Sequence, residues 1–259
     1  MHQSKFFLKI LKIVSTARIS MKISIPCMKC GMQQKNTDIS KSYYEEITEN
    51  GIFDFVCDNG HRSITVMQQQ KFEILSRMCV LSIENGVYRD AISSFASCLE
   101  RLYEFYFKAS ARKNGASLEE IVTTWKQMSS QSERQYGAFM AIYLFENHKT
   151  PNILQRKQTE LRNDVIHKGK IPTRDETMQF GQAVLNCALP IMDIIRSKPY
   201  SEVIWQMVVE NRNERARSYF DAEAEIAYLS LPTPLSLNIS QQTSELNELL
   251  KIYHNSYVK

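Results

Sequence analysis

The chain has 259 residues, 43% hydrophobic and 23% charged, with a formal net charge of +4 at pH 7. That length can bury a full core, and the composition excludes disorder as the default state. Eight glycines and seven prolines are few for an all-β protein with many tight turns, so a mainly α chain is expected, and the mild positive charge permits nucleic-acid binding without requiring it.

Residues 1–20 carry the run Phe6-Phe7-Leu8-Lys9-Ile10-Leu11-Lys12-Ile13-Val14, which is too short and too often broken by lysine to span a bilayer. Two expectations fit it. It is a basic amphipathic helix touching a membrane surface, or an extension that precedes a true start at Met21.

Residues 21–67 hold Pro26-Cys27-Met28-Lys29-Cys30-Gly31 and, after a polar stretch, Cys57-Asp58-Asn59-Gly60-His61. Two knuckles of two ligands each are what a tetrahedral zinc ion needs, and glycine lets the backbone turn tightly around the sulfurs. Ile23 and Ile25, Phe53 and Phe55, and Ile64 and Val66 alternate as short strands do. The module looks like a zinc ribbon with Cys27, Cys30, Cys57 and His61 as ligands. It departs from a four-cysteine pattern at His61, and unpaired thiols in a metal-free hairpin are the alternative. Four protein ligands leave no open position, so the expected zinc is structural and no catalytic metal is expected.

Residues 68–197 read as an antiparallel bundle of five or six helices. Phe72, Leu75, Met78 and Cys79 share one face, and a helix over 88–112 carries Ala91, Phe95, Leu99, Leu102 and Tyr106 at steps of three and four. Ser117-Leu118-Glu119-Glu120 is a capping box, and Phe139, Ile142, Tyr143 and Phe145 mark another buried helix. Thr150-Pro151 reads as an N-cap and first helical residue, opening a helix that Gly169 and Pro172 stop. Thr173-Arg174-Asp175-Glu176 opens the next, with Pro190 inside it. Cys79, Cys98 and Cys187 lie in apolar helical patterns as buried free thiols. With no secretory signal, a reducing cytoplasm is the expected location.

Residues 198–259 read as a C-terminal helical extension. Ile204, Met207, Val208, Tyr219, Ile226 and Leu229 suggest one amphipathic helix with Arg212, Arg215 and Arg217 near its polar side, either a solvated face or an RNA contact. A short last helix is expected around 246–252.

One stretch carries chemistry: Leu161-Arg162-Asn163-Asp164-Val165-Ile166-His167-Lys168-Gly169. An arginine supplies fixed positive charge for a phosphate, and a histidine side chain exchanges protons near neutral pH. Together they are the two groups that cleavage of an RNA phosphodiester without a metal calls for, with Asn163 as a neutral hydrogen-bonding neighbour. The bland alternative pairs Arg162 with Glu160 or Asp164 and leaves His167 as a helix end.

The order Arg162, Asn163, three further residues, His167 resembles the HEPN superfamily, the higher eukaryote and prokaryote nucleotide-binding domains, whose ribonuclease members carry arginine, a polar residue and histidine so spaced. The resemblance covers about residues 68–197. It implies an all-α bundle acting as a homodimer, with two motifs facing each other and cutting RNA to leave a cyclic phosphate. It also implies an acidic residue facing the motif arginine, for which Glu100 is the candidate; a surface partner for Arg101 is its plainer role. By the same resemblance the chain is expected to be an endoribonuclease, a toxin or effector of bacterial anti-phage defence acting on tRNA or mRNA, with an antitoxin or trigger protein as a further partner and no membrane. The competing reading is a non-catalytic nucleotide- or protein-binding module with the ribbon as its interface. A zinc-dependent hydrolase is disfavoured, because no His-Glu-x-x-His pattern is present.

Overall fold

The computed structural model describes residues 22–33, 42–220, 224–238 and 243–257, and the apolar run at 6–14 lies outside them. The chain divides into two units: residues up to Met67 with Arg215–Leu229, and Gln68–Glu214 with Ser230–Lys259.

The first unit is built on short strands. Strand β1 (Lys22–Pro26) pairs antiparallel with β2 (Ser42–Glu46), and a short helix α1 (Met28–Gln33) lies between them in sequence. Strands β3 (Ile52–Val56) and β4 (Arg62–Met67) form an antiparallel pair with Phe53 opposite Thr65 and Phe55 opposite Ser63. Alternation decides the faces: Phe53 and Phe55 are buried, while Asp54 turns outward to accept two hydrogen bonds from Arg62 at 3.0 and 2.7 Å. The strands that Ile23, Ile25, Ile64 and Val66 predict are all present, and those four side chains are buried.

A fifth strand corrects the sequence reading. The helix expected to run from Ile204 through Leu229 ends at Ala216, followed by a 3-10 turn at Arg217–Tyr219. Glu225–Leu229 is instead strand β5, parallel to β4 with Ile226 opposite Ile64. Ile226 and Leu229 are three apart, a step that helical periodicity also accepts. A parallel pair also needs a crossover rather than a local turn, so no short-range signal announces it.

The second unit is the helical bundle, and with it the chain is mainly α. In chain order come α2 (Lys71–Glu84), α3 (Tyr88–Lys113), α4 (Leu118–Met128), α5 (Ser132–Asn147), α6 (Arg156–His167) and α7 (Arg174–Arg196). Helices α8 (Tyr200–Ala216) and α9 (Leu246–Tyr257) follow. The apolar stripe of α3 is the axis of the core: Ala91, Phe95, Leu99, Leu102, Tyr106 and Ala109 are all buried on it. Tyr103 stacks on Phe139 of α5 with ring centroids 3.9 Å apart, and Phe72 of α2 meets Phe105 at 5.3 Å. Helix α7 meets α3 where Gly181 leaves room for the Phe95 ring, since a Cβ there would lie 2.6 Å from that ring. By length and composition α7 alone among the described helices is apolar enough to cross a membrane, and half of its apolar window is buried in the bundle.

Both capping boxes read from the sequence form, with Ser117 and Glu120 opening α4 and Thr173 and Glu176 opening α7. Helix α7 continues through Pro190. Three details differ. Thr150-Pro151 does not start α6: residues 151–155 form no helix or strand, the Asn152 side-chain amide donates to the Asn186 carbonyl, and the helix begins after Gln155. Phe145 is 76% exposed, because Phe139 and Tyr143 already define the buried face of α5. Met78 is likewise exposed, one position away from the buried Cys79.

Glu73 ties the bundle to the segment before α9. Its carboxylate is buried and accepts the Gln70 amide at 2.8 Å and the Leu237 amide at 2.9 Å. Burial pushes the carboxyl up to about 7 against the pull of those amides. A folded-state value above the unfolded one means that the folded chain holds a proton the unfolded chain has released. Stability therefore falls as pH rises from the ordinary carboxyl range towards 7. Thermal melting followed from pH 5 to 8 should show this loss in the parent chain, and Glu73→Gln should lack that component; equal slopes would contradict it.

Candidate active site and metal centre

The candidate metal centre is set by two tight turns. After β1, the Gly31 amide donates to the Cys27 carbonyl at 3.1 Å, winding α1 so that Cys30 turns back towards Cys27. After β3, the Gly60 amide donates to the Cys57 carbonyl at 2.8 Å and the Cys57 amide to the His61 carbonyl at 3.0 Å. Gly60 has φ +77°, a left-handed conformation that explains glycine at this position.

These turns gather Cys27, Cys30, Cys57 and His61, whose ligand atoms all lie within 4.8 Å of one another. Cys30 Sγ lies 3.6 Å from Cys57 Sγ and 3.3 Å from His61 Nδ1, and Cys27 Sγ is 3.9 Å from the same nitrogen. A tetrahedral ion bound at ordinary metal–sulfur and metal–nitrogen lengths needs sulfur–sulfur edges of about 3.8 Å and sulfur–nitrogen edges of about 3.6 Å. The donor set therefore fits a closed tetrahedral metal site. Polar neighbours support the sulfurs: Ser63 Oγ is 3.4 Å from Cys27, and the Asn59 amide donates to Cys30 at 3.2 Å. Burial raises the Cys27 thiol, but hydrogen bonding with Ser63, the Cys30 backbone and His61 outweighs it and brings it down to about 6, towards the thiolate a metal requires.

The remaining cysteines are separate. Cys79, Cys98 and Cys187 are buried thiols among the helices, and burial pushes the Cys187 thiol up to about 11.

In the helical unit, α6 packs on α3 with Val165 buried in the core. That contact sets the helix rotation and directs Arg162 towards α3. Its guanidinium meets the Glu100 carboxylate at 2.6 Å, with both side chains about one-third exposed or less. The other terminal nitrogen donates to Asn163 Oδ1 at 3.1 Å. Glu100, Arg162 and Asn163 thus form one hydrogen-bonded group across two helices.

Among the described residues Arg162 makes no ion pair with Glu160 or Asp164, and Glu100 makes none with Arg101. Asp164 pairs with Lys168 at 2.8 Å, Glu160 with Arg156 at 2.7 Å, and Arg101 with Glu104 at 2.5 Å. The partner Arg162 does take lies 62 positions away, in a different helix. His167 is the last residue of α6 and is exposed. Five positions along a helix place it about 140° around the axis from Arg162. Within one chain the structure joins three of the four candidate residues, and His167 stands at the end of the same helix facing solvent.

Sequence reasoning did not single out Ser63 or Asn59, whose contacts to sulfur carry no local signature. No protein-family model, curated protein or solved structure matches the chain.

Two measurements check the metal centre. Metal analysis of the purified chain should give one thiolate-binding divalent ion per molecule, and Co2+ exchanged into the site should show the absorption of a tetrahedral sulfur-rich complex. Cys57→Ser should lose both, and a parent chain that binds no metal would contradict the assignment.

Proposed function

We propose that the chain is a metal-independent endoribonuclease of the HEPN kind, with a structural zinc ion in its ribbon. The observation that carries this reading is the group formed by Glu100, Arg162 and Asn163, with His167 exposed at the end of the same helix. A guanidinium fixed by a carboxylate is positioned before substrate arrives, so little conformational freedom is lost when it takes a phosphate.

The chemistry follows from the side chains. Arg162 holds a non-bridging phosphate oxygen and stabilises the charge that accumulates on the pentacoordinate phosphorus. The His167 imidazole takes the proton from a ribose 2'-hydroxyl, the 2'-oxygen bonds to phosphorus, and the bond from phosphorus to the 5'-oxygen breaks. The departing oxygen needs a proton. In a homodimer with facing motifs, as the resemblance implies, His167 of the second copy is the acid. The products are a 2',3'-cyclic phosphate and a 5'-hydroxyl. Glu100 acts through Arg162 and is a positioning residue. The donor set of three thiols and one imidazole favours zinc in the ribbon, where it holds the fold and takes no part in cleavage. A bacterial anti-phage effector acting on tRNA or mRNA in the cytoplasm, restrained or triggered by a second protein, is the setting this chemistry fits.

Incubation with total RNA in the presence of EDTA tests the reading. The parent chain should cut, His167→Ala should lose about a hundredfold or more in rate, and Glu100→Ala should cut more slowly while shifting stability by under about 1 kcal/mol, because its ion pair is partly solvated. Equal cutting by the parent and His167→Ala would sink the assignment. Specific binding of nucleotide or protein without turnover, in a chain whose expression is equally harmless with either residue, would favour the non-catalytic module.

A further inference from the structure

The six cysteines fall into two chemically different sets. Cys79, Cys98 and Cys187 are buried among the helices, where a dissolved oxidant does not reach the sulfur. Cys27, Cys30 and Cys57 lie in one cluster of the first unit, and they differ in access. Cys27 and Cys57 are only 5% and 4% exposed, whereas Cys30 is half-buried, on the short helix α1 beside the exposed Met28 and Lys29. Cys30 is therefore the sulfur of the cluster that a small molecule in water meets first.

Cys30 also has a second sulfur within reach. Its Sγ lies 3.6 Å from Cys57 Sγ, which comes from the other knuckle. A disulfide is about 2 Å long, so the two sulfurs need to close by roughly 1.5 Å to bond. On the exposed turn, the Asn59 side-chain amide donates to the same Cys30 Sγ at 3.2 Å. An N–H group draws charge from a thiolate and slows its attack on an electrophile, so this bond sets how readily Cys30 reacts. One accessible sulfur, one buried sulfur beside it and one donor that restrains the first make an ordered pair.

We propose that Cys30 and Cys57 form a peroxide-sensitive switch within the candidate metal centre. The Cys30 thiolate attacks one peroxide oxygen; the sulfur–oxygen bond forms as the oxygen–oxygen bond breaks, hydroxide leaves, and Cys30 becomes a sulfenic acid. The Cys57 thiolate then attacks Cys30 Sγ. The sulfur–sulfur bond forms, the sulfur–oxygen bond breaks, and a second hydroxide leaves. Two electrons thus pass from the pair of sulfurs to the peroxide. Each knuckle gives up one ligand, and the two donors left, Cys27 and His61, are too few to hold a closed tetrahedral ion. A thiol reductant reverses the bond and restores the donor set. The inference rests on the metal assignment and uses none of the residues of the RNA-cleavage reading.

The test treats the full chain, loaded with zinc and freed of excess metal, with hydrogen peroxide. A chromogenic chelator follows zinc release, a thiol reagent in denaturant counts free sulfurs, and peptide mass mapping without reduction locates the bond. Zinc should leave as two of the six thiols disappear, with Cys30 joined to Cys57, and dithiothreitol with added zinc should restore both readings. Asn59→Ala should keep its zinc and release it about threefold or more faster under peroxide, the scale of part of one hydrogen bond to a charged sulfur. Zinc held through the treatment, a disulfide that involves Cys27, sulfurs that dithiothreitol does not recover, or an unchanged rate in Asn59→Ala would each overturn the switch while leaving the metal assignment in place. A chain that takes up no zinc before peroxide is added would overturn both.

Discussion

The packing of α3 is the constraint on which the helical unit depends. Its stripe of small and large apolar side chains fixes how α2, α5, α6 and α7 approach, because each neighbour must fill the spaces the stripe leaves. Gly181 meeting Phe95, and Phe139 lying flat on Tyr103, are two such matched contacts. The candidate site is a by-product of that packing. Once Val165 is buried, the rotation of α6 is set, and Arg162 is carried to Glu100 on the flank of α3. A carboxylate and a guanidinium that are distant in sequence become a positioned pair with both partners still reachable from solvent.

The cluster of Cys27, Cys30, Cys57 and His61 obeys a different constraint. Short strands around a few apolar residues make a small core, and a metal ion held by the three cysteines and the histidine would add cross-links where hydrophobic burial is limited. The ligands sit at turns because turns bring side chains from the two knuckles to one point. Ser63 and Asn59 then orient and polarise the sulfurs.

Much of this was legible in the sequence where the physics is local. The α3 stripe, the two capping boxes and the alternation at Phe53, Phe55, Ile64 and Val66 depend on neighbours within a few positions, and all appear as read. The four candidate metal ligands are legible from spacing and residue type, and they converge. What the sequence concealed is long-range. Strand β5 exists because Ile226 pairs beside Ile64 across more than half the chain, and a helical step of three from Ile226 to Leu229 masked it. The start of α6 is likewise hidden, because Thr150-Pro151 has the local form of a cap, whereas Asn152 bonds through its side chain to the Asn186 carbonyl and the helix begins only after Gln155. Glu100 is singled out only by resemblance, with Arg101 as its plainer partner, and tertiary packing gives it Arg162.

The proposal that cleavage proceeds by attack of the neighbouring 2'-hydroxyl under the control of Arg162 and His167 is tested most directly on an RNA oligonucleotide, once one that the chain cuts has been found. A single 2'-deoxy substitution at the nucleotide whose 2'-hydroxyl would attack should abolish that cut in EDTA while other cuts persist, and the 3' ends of those other fragments should be cyclic phosphates. Continued cutting at the substituted position, or 3'-hydroxyl ends, would show that the nucleophile is not the ribose and would contradict the account.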